Sequence, residues 1–84
     1  MGKVKYILSQ PDKIIKSGET DGIVLPAALS NLTVISGRAP SLVKLIGGLV
    51  QFVDEPEEKY LIKGGIANIA NDVCMVSSEE IVKQ

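Results

Sequence analysis

The sequence predicts an all-β fold, a small antiparallel two-sheet β-sandwich with at most a helical start at the C-terminus. Three observations carry that expectation. Short apolar runs rich in Val, Ile and Leu recur along the chain, and such side chains suit a pleated, half-buried surface. Gly, Pro, Asn and Asp separate the runs at short intervals, the spacing of a sandwich or barrel. No window before Ser77 sustains the apolar spacing of an amphipathic helix.

Each element can be justified in turn. Lys3–Leu8 alternates charged and apolar residues and then becomes continuously apolar, as a strand entering a core does. Ser9-Gln10-Pro11-Asp12 is turn chemistry. Lys13–Lys16 is a second strand, and Ser17-Gly18 breaks it as a bulge rather than a stop. Thr20–Leu25 is a third strand closed by Pro26. Ala27-Ala28-Leu29-Ser30 is too short for a self-sustaining helix and reads as a loop that brings Ser30 and Asn31 to one end of the sandwich.

The central stretch Asn31–Ile46 holds two apolar runs, Leu32–Ile35 and Leu42–Ile46, joined by Ser36-Gly37-Arg38-Ala39-Pro40-Ser41. Gly37 tolerates positive φ and Pro40 pushes Ala39 out of the helical region. An apolar chain that turns around one arginine exposes Arg38 on a rigid loop. Gly47-Gly48 reads as a tight turn into Leu49–Val53, with Val50 and Phe52 on one face and Leu49, Gln51 and Val53 on the other. The acidic run Asp54-Glu55-Pro56-Glu57-Glu58 reads as a solvated hairpin loop. Lys59–Ile62 returns as a strand, Gly64-Gly65 turns it into Ile66–Ile69, Asn71-Asp72 makes the next turn, and Val73–Val76 closes the series. Ser77, with Glu80 three residues on and Lys83 behind, fits a capping box, so a helix is expected to begin there. The division is therefore 1–78 as sandwich and 79–84 as a tail.

Eighty-four residues make one small domain. The composition is 45% hydrophobic and 4% aromatic, so the core is expected from Val, Ile, Leu and Ala. Nine basic against ten acidic residues leave a formal charge of −1. Without a basic surplus or stacking aromatics the chain does not read as a nucleic-acid binder. The longest apolar run, Leu45–Val50, is far short of the ~20 residues of a transmembrane helix. The N-terminus lacks the apolar core of a signal peptide, so the expectation is a soluble domain facing the cytoplasm.

Chemistry-bearing patterns are sparse. The sequence has no histidine, the usual general base near neutral pH and the commonest metal ligand. One cysteine, Cys74, excludes an internal disulfide and reads as a small buried side chain between Val73 and Met75. Neither glycine pair is followed by the Gly-Lys-Ser/Thr of a phosphate loop. No catalytic residue, metal site or cofactor is expected.

The turn Gly37-Arg38-Ala39-Pro40, after a short apolar strand and before an apolar run ending in Gly, resembles the epsilon subunit of F-type ATP synthases (the mitochondrial counterpart is called delta). Ser17-Gly18, Ile23-Val24-Leu25-Pro26, Gly64-Gly65-Ile66 and the strand Val73–Ser77 fall in the same order as that family's motifs. The resemblance covers about Val4 to Glu80 and corresponds to the family's N-terminal sandwich domain only. It implies a non-catalytic rotor subunit of a proton-translocating ATP synthase, which links the gamma subunit to the c ring and couples rotation to ATP synthesis. A free-standing sandwich that binds a small ligand or another protein is the alternative.

Carried over residue by residue, the resemblance puts Gln10, Arg38 and Val43 on the gamma-facing surface and Ser30, Asn31, Leu32 and Thr33 on the c-ring-facing end. Arg38 by itself is an ordinary exposed loop arginine; the resemblance makes it an interface residue. In the ring-facing segment the family typically reads Gly-Glu-Leu-Gly. Asn31 replaces its carboxylate, so the ring contact should depend less on salt. The resemblance further implies a peripheral location on the cytoplasmic face of the bacterial inner membrane, or the matrix side in an organelle, with membrane contact only through the c ring. Longer members carry a C-terminal helical hairpin that binds ATP and inhibits hydrolysis, and no nucleotide binding is expected without it.

Overall fold

The computed structural model describes residues 2–28 and 30–84. Their regular structure is β-strand throughout: β1 (Val4–Gln10), β2 (Lys13–Thr20), β3 (Ile23–Pro26), β4 (Asn31–Val34), β5 (Ser41–Phe52), β6 (Lys59–Ala70), β7 (Val73–Ser77) and β8 (Ile81–Lys83). The hydrogen-bonded order is β2-β1-β7-β6-β5-β3-β4, with β8 also on β6. This continuous sheet folds over on itself. The second half of β6 and the first half of β5 join β2, β1 and β7 in one layer. Their other halves join β8, β3 and β4 in a second.

The fold-over makes two glycine pairs bends rather than turns. Gly47-Gly48 and Gly64-Gly65 were expected as turns between separate strands, but β5 and β6 run straight through them in one register, from Ser41↔Ile69 to Gln51↔Lys59. The glycines bend the strands. Gly64 and Gly65 take φ of +98° and +144°, and a Cβ on Gly65 would lie 2.0 Å from the Ser77 carbonyl oxygen. Only a residue without a side chain allows the backbone to pass there.

Side chains alternating inward from both layers form one core, with Val4, Leu8, Ile23, Leu25, Val50, Ala67, Cys74 and Val76 fully buried. The core expected from aliphatics alone has an aromatic centre. Tyr6 and Phe52 lie with ring centroids 4.6 Å apart, and Tyr60 meets Phe52 edge-on at 6.1 Å. Tyr6 comes from the first layer and the other two from the second, so these rings join the layers directly. Burial pushes the Tyr6 phenol above its ordinary range.

Several boundaries also differ. Ser17-Gly18 does not interrupt β2; Gly18 lies opposite Tyr6, and a Cβ there would sit 3.0 Å from the Tyr6 hydroxyl oxygen. The bulge falls at Ile15, which has no partner between the pairs Leu8↔Lys16 and Ser9↔Ile14. β1 and β7 pair in parallel rather than antiparallel, since no hairpin joins them and fixes their relative direction. The expected helix after Ser77 is replaced by β8. The Ser78 hydroxyl bridges to the Glu80 backbone within a tight turn, and Ile81 enters the core at 5% exposure. A single capped turn does not sustain a helix, whereas the open edge of β6 offers backbone partners to Ile81–Lys83. Of the segment 27–30, expected as a loop, Leu29 lies outside the described residues.

Candidate functional site

The loop between β4 and β5 is held from beneath by one side chain. Gly37, at φ +87°, donates its N–H to the Asp72 carboxylate at 2.8 Å, and the Ser36 hydroxyl donates to the other carboxylate oxygen at 3.1 Å. Asp72 is itself fixed in a two-residue hairpin turn, with Asn71 and Asp72 at φ 52° and 60°, the geometry that suits the twist of β6 and β7. Its carbonyl accepts the Lys5 N–H at 2.9 Å. The expectation of a rigid loop thus has a physical basis, and Arg38 stands exposed on it. Sequence reasoning treated Asp72 only as a turn former. The signal it offered was an acidic residue in a turn, which says nothing of the loop it reaches.

Beside this loop, the outward face of the first layer carries a cluster of exposed apolar side chains among polar ones such as Lys5, Lys44 and Asn68. One cross-strand row runs Leu42, Asn68, Met75, Ile7, and Ile66 lies diagonally next to Leu42 on the adjoining row. Leu42 is 72% exposed, Ile66 49% and Met75 43%. The patch continues into a groove beside the glycine bend, lined by Leu42, Lys44, Leu45, Lys63 and Ile66. Alternating sheets usually turn polar residues outward. A contiguous apolar patch on such a face marks a contact surface. No residue of this patch was singled out from the sequence, because alternation shows two faces of a strand without telling which of two apolar faces the fold will cover.

The structure does not gather Gln10, Arg38 and Val43 into one place. Val43 lies in the inward row with Ala67, Val76 and Leu8, half-buried against the core. Gln10 lies at the far end of β1, where its side-chain oxygen accepts the Ile81 N–H at 2.8 Å. Arg38 is near the opposite end of that layer, beside Asp72. Ser30, Asn31, Leu32 and Thr33 do come together on the β3–β4 hairpin. Ser30, Asn31 and Thr33 are exposed and Leu32 packs against the core. β4 forms an outer strand of the second layer, with Asn31 at its start and the Arg38 loop beyond its end.

Two ionic groups brace the remaining loops. Lys3 lies 3.1 Å from Asp21 and 3.8 Å from Asp54, and the Thr20 hydroxyl hydrogen-bonds the Asp54 carboxylate. That hydrogen bond holds Asp54 below its usual carboxylate range, and Asp21 raises the Lys3 ammonium. On another side, Glu58 lies between Lys16 and Lys83. Cys74 is buried, and desolvation pushes its thiol up to about 11. Among the described residues no three His, Cys, Asp or Glu side chains converge as a metal set, and no helix is long and apolar enough to cross a membrane.

Comparison with known proteins places this architecture. The family described as ATP synthase, Delta/Epsilon chain, beta-sandwich domain matches residues 3–84. The ATP synthase epsilon chain of Agrobacterium fabrum is 31% identical over 80 residues, covering 93% of this chain and 59% of that protein. The epsilon chain of Bartonella henselae is 32% identical over 78 residues, covering 92% and 56%. The chain thus spans a little over half the length of these curated relatives. Among solved structures, a chain of the Euglena gracilis mitochondrial ATP synthase (OSCP/F1/c-ring) superposes with a TM-score of 0.87 at 20% identity, over 99% of this chain and 54% of that one. A chain of the Tetrahymena thermophila mitochondrial ATP synthase central stalk and c-ring gives 0.77 at 19% identity, over 95% and 66%.

Proposed function

This chain belongs to the ATP synthase delta/epsilon family, and from that premise we propose that it is a non-catalytic rotor subunit of the central stalk. It links the gamma subunit to the c ring of a proton-translocating F-type ATP synthase and so couples rotation to ATP synthesis. The observation that carries this reading is the apolar cluster on the outward face of the first layer, with Leu42, Ile66 and Met75 exposed beside the braced Arg38 loop. Gamma docks on that face, and Arg38 supplies a directional contact at its margin. Arginine suits this position because it joins a flat apolar surface to forked donors. Val43 and Gln10 support the interface from behind, one from the core side and one through the β8 turn.

The β3–β4 hairpin is the contact for the c ring, with Ser30, Asn31 and Thr33 outward and Leu32 anchoring them to the core. A body that transmits torque must resist shear, and an interior packed at crystal-like density does so. The chain then sits peripherally at the coupling membrane and touches it only through the ring. Nucleotide binding is not assigned to the sandwich.

A calorimetric titration against the cognate gamma subunit tests this. Saturable one-to-one binding is expected, weakened by more than ~1 kcal/mol in Arg38→Ala. Affinity unchanged in that variant removes Arg38 from the interface. No binding to a folded gamma subunit overturns the rotor reading in favour of a free-standing binding module.

A further inference from the structure

The two layers leave free edges on one side of the molecule, β2 in the first and β8 in the second. Glu58, on the loop between β5 and β6, spans them. One carboxylate oxygen lies 2.9 Å from the Lys16 ammonium of β2 and the other 3.2 Å from the Lys83 ammonium of β8. The Glu58 side chain is 18% exposed and that of Lys16 29%, so this is the best shielded of the ion pairs among the described residues. The Lys16 ammonium also lies 6.0 Å from the centre of the Tyr60 ring.

β8 has little else to hold it. It is three residues long and pairs only with β6. Ile81 is buried, but Val82 is 43% exposed. Its other fastenings are the Ile81 N–H to Gln10 and the Gln84 N–H to the Lys59 carbonyl, with a more exposed Lys63–Glu80 pair at the turn before it. Removing β8 leaves β6 paired to β5 along its whole length. Short edge elements with few buried contacts are the parts of a protein that open locally.

We propose that Glu58 clasps β8 to the body, and that loss of its charge makes β8 open as a unit several-fold more often while the sandwich stays folded. Release uncovers the Tyr60–Ile62 edge of β6. The clasp is independent of the rotor reading. The charged groups that face the Glu58 carboxylate are Lys16 from β2 and Lys83 from β8, and Tyr6 of β1 and Tyr60 of β6 lie near Lys16. The two lysines hold the Glu58 carboxyl below its ordinary range. The clasp is therefore closed at neutral pH and opens as pH falls through that lowered value.

Native-state hydrogen exchange on the full chain tests this. In Glu58→Gln the Ile81 and Gln84 amides should lose about fivefold protection, with Cys74 and Val76 in β7 unchanged. Lys83→Met, at an exposed position that leaves the Lys16 pair intact, should give the same pattern and carries the test if Glu58→Gln folds poorly. The wild type should lose the same protection on acidification, a step absent in Glu58→Gln. Unchanged protection at Ile81 and Gln84 in both variants, or equal loss at Cys74 and Val76, overturns the proposal.

Discussion

The two faces of the first layer both carry large apolar side chains, but these have different fates. Inward stand Val4, Leu8, Ala67, Cys74 and Val76, all without solvent exposure. Outward on the same strands stand Ile7, Leu42, Ile66 and Met75. The inward face is completed by the second layer through Tyr6 and Phe52, whereas none of the described residues covers Leu42, Ile66 or Met75 on the outward one. Apolar alternation therefore measures how much surface asks to be buried, and topology decides which part the chain can bury alone. The remainder is the surface for which a gamma contact is proposed above.

That contrast can be broken or sharpened by substitution. The largest effect is expected inside: Phe52→Ala removes the ring between Tyr6 and Tyr60 and should cost about 3–5 kcal/mol in denaturant unfolding. Gly65→Ala comes next, at about 2–3 kcal/mol, because the added methyl meets the Ser77 carbonyl at a backbone angle that L-residues avoid. Stability within about 1 kcal/mol of wild type would show that the bend can relax. On the outward face the sign of interest changes. Met75→Gln should alter stability by no more than about 0.5 kcal/mol yet weaken gamma binding by about 1 kcal/mol, and a variant that unfolds easily would place Met75 with the core. Smallest is Cys74. A buried thiol raised to about 11 should resist alkylation at pH 8 in the folded protein and react at once in denaturant.

The strands were legible because their signals are local. The Asn71-Asp72 turn, the shared face of Val50 and Phe52, and the Arg38 loop all follow from residues within a few positions of one another. What escaped is relational. Gly64-Gly65 looks alike as a turn or as a bend, and the choice rests on Ser77 passing close by. The capping box at Ser77 is locally sound, but Ile81 found a place in the core and β6 an open edge. Gln10 reads as a surface residue until Ile81 arrives beside it. For the site, Arg38 and the 30–33 segment are proposed through a family resemblance, whereas the outward patch requires the strand register.

The glycine bend has a consequence for how such a chain can vary. β5 and β6 keep one register on both sides of it, so the layers are phase-locked: a residue inserted between the bend and either end would turn every following side chain of that strand to the opposite face. Length changes are best tolerated at the 55–57 tip, outside the ladders and between the Asp54 brace and the Glu58 clasp, but within the strands the chain is quantised. The second layer's aim relative to the first is thus written in the count of residues from Ser41 to Gly48, and two surfaces on different layers stay at a fixed angle without a hinge residue between them.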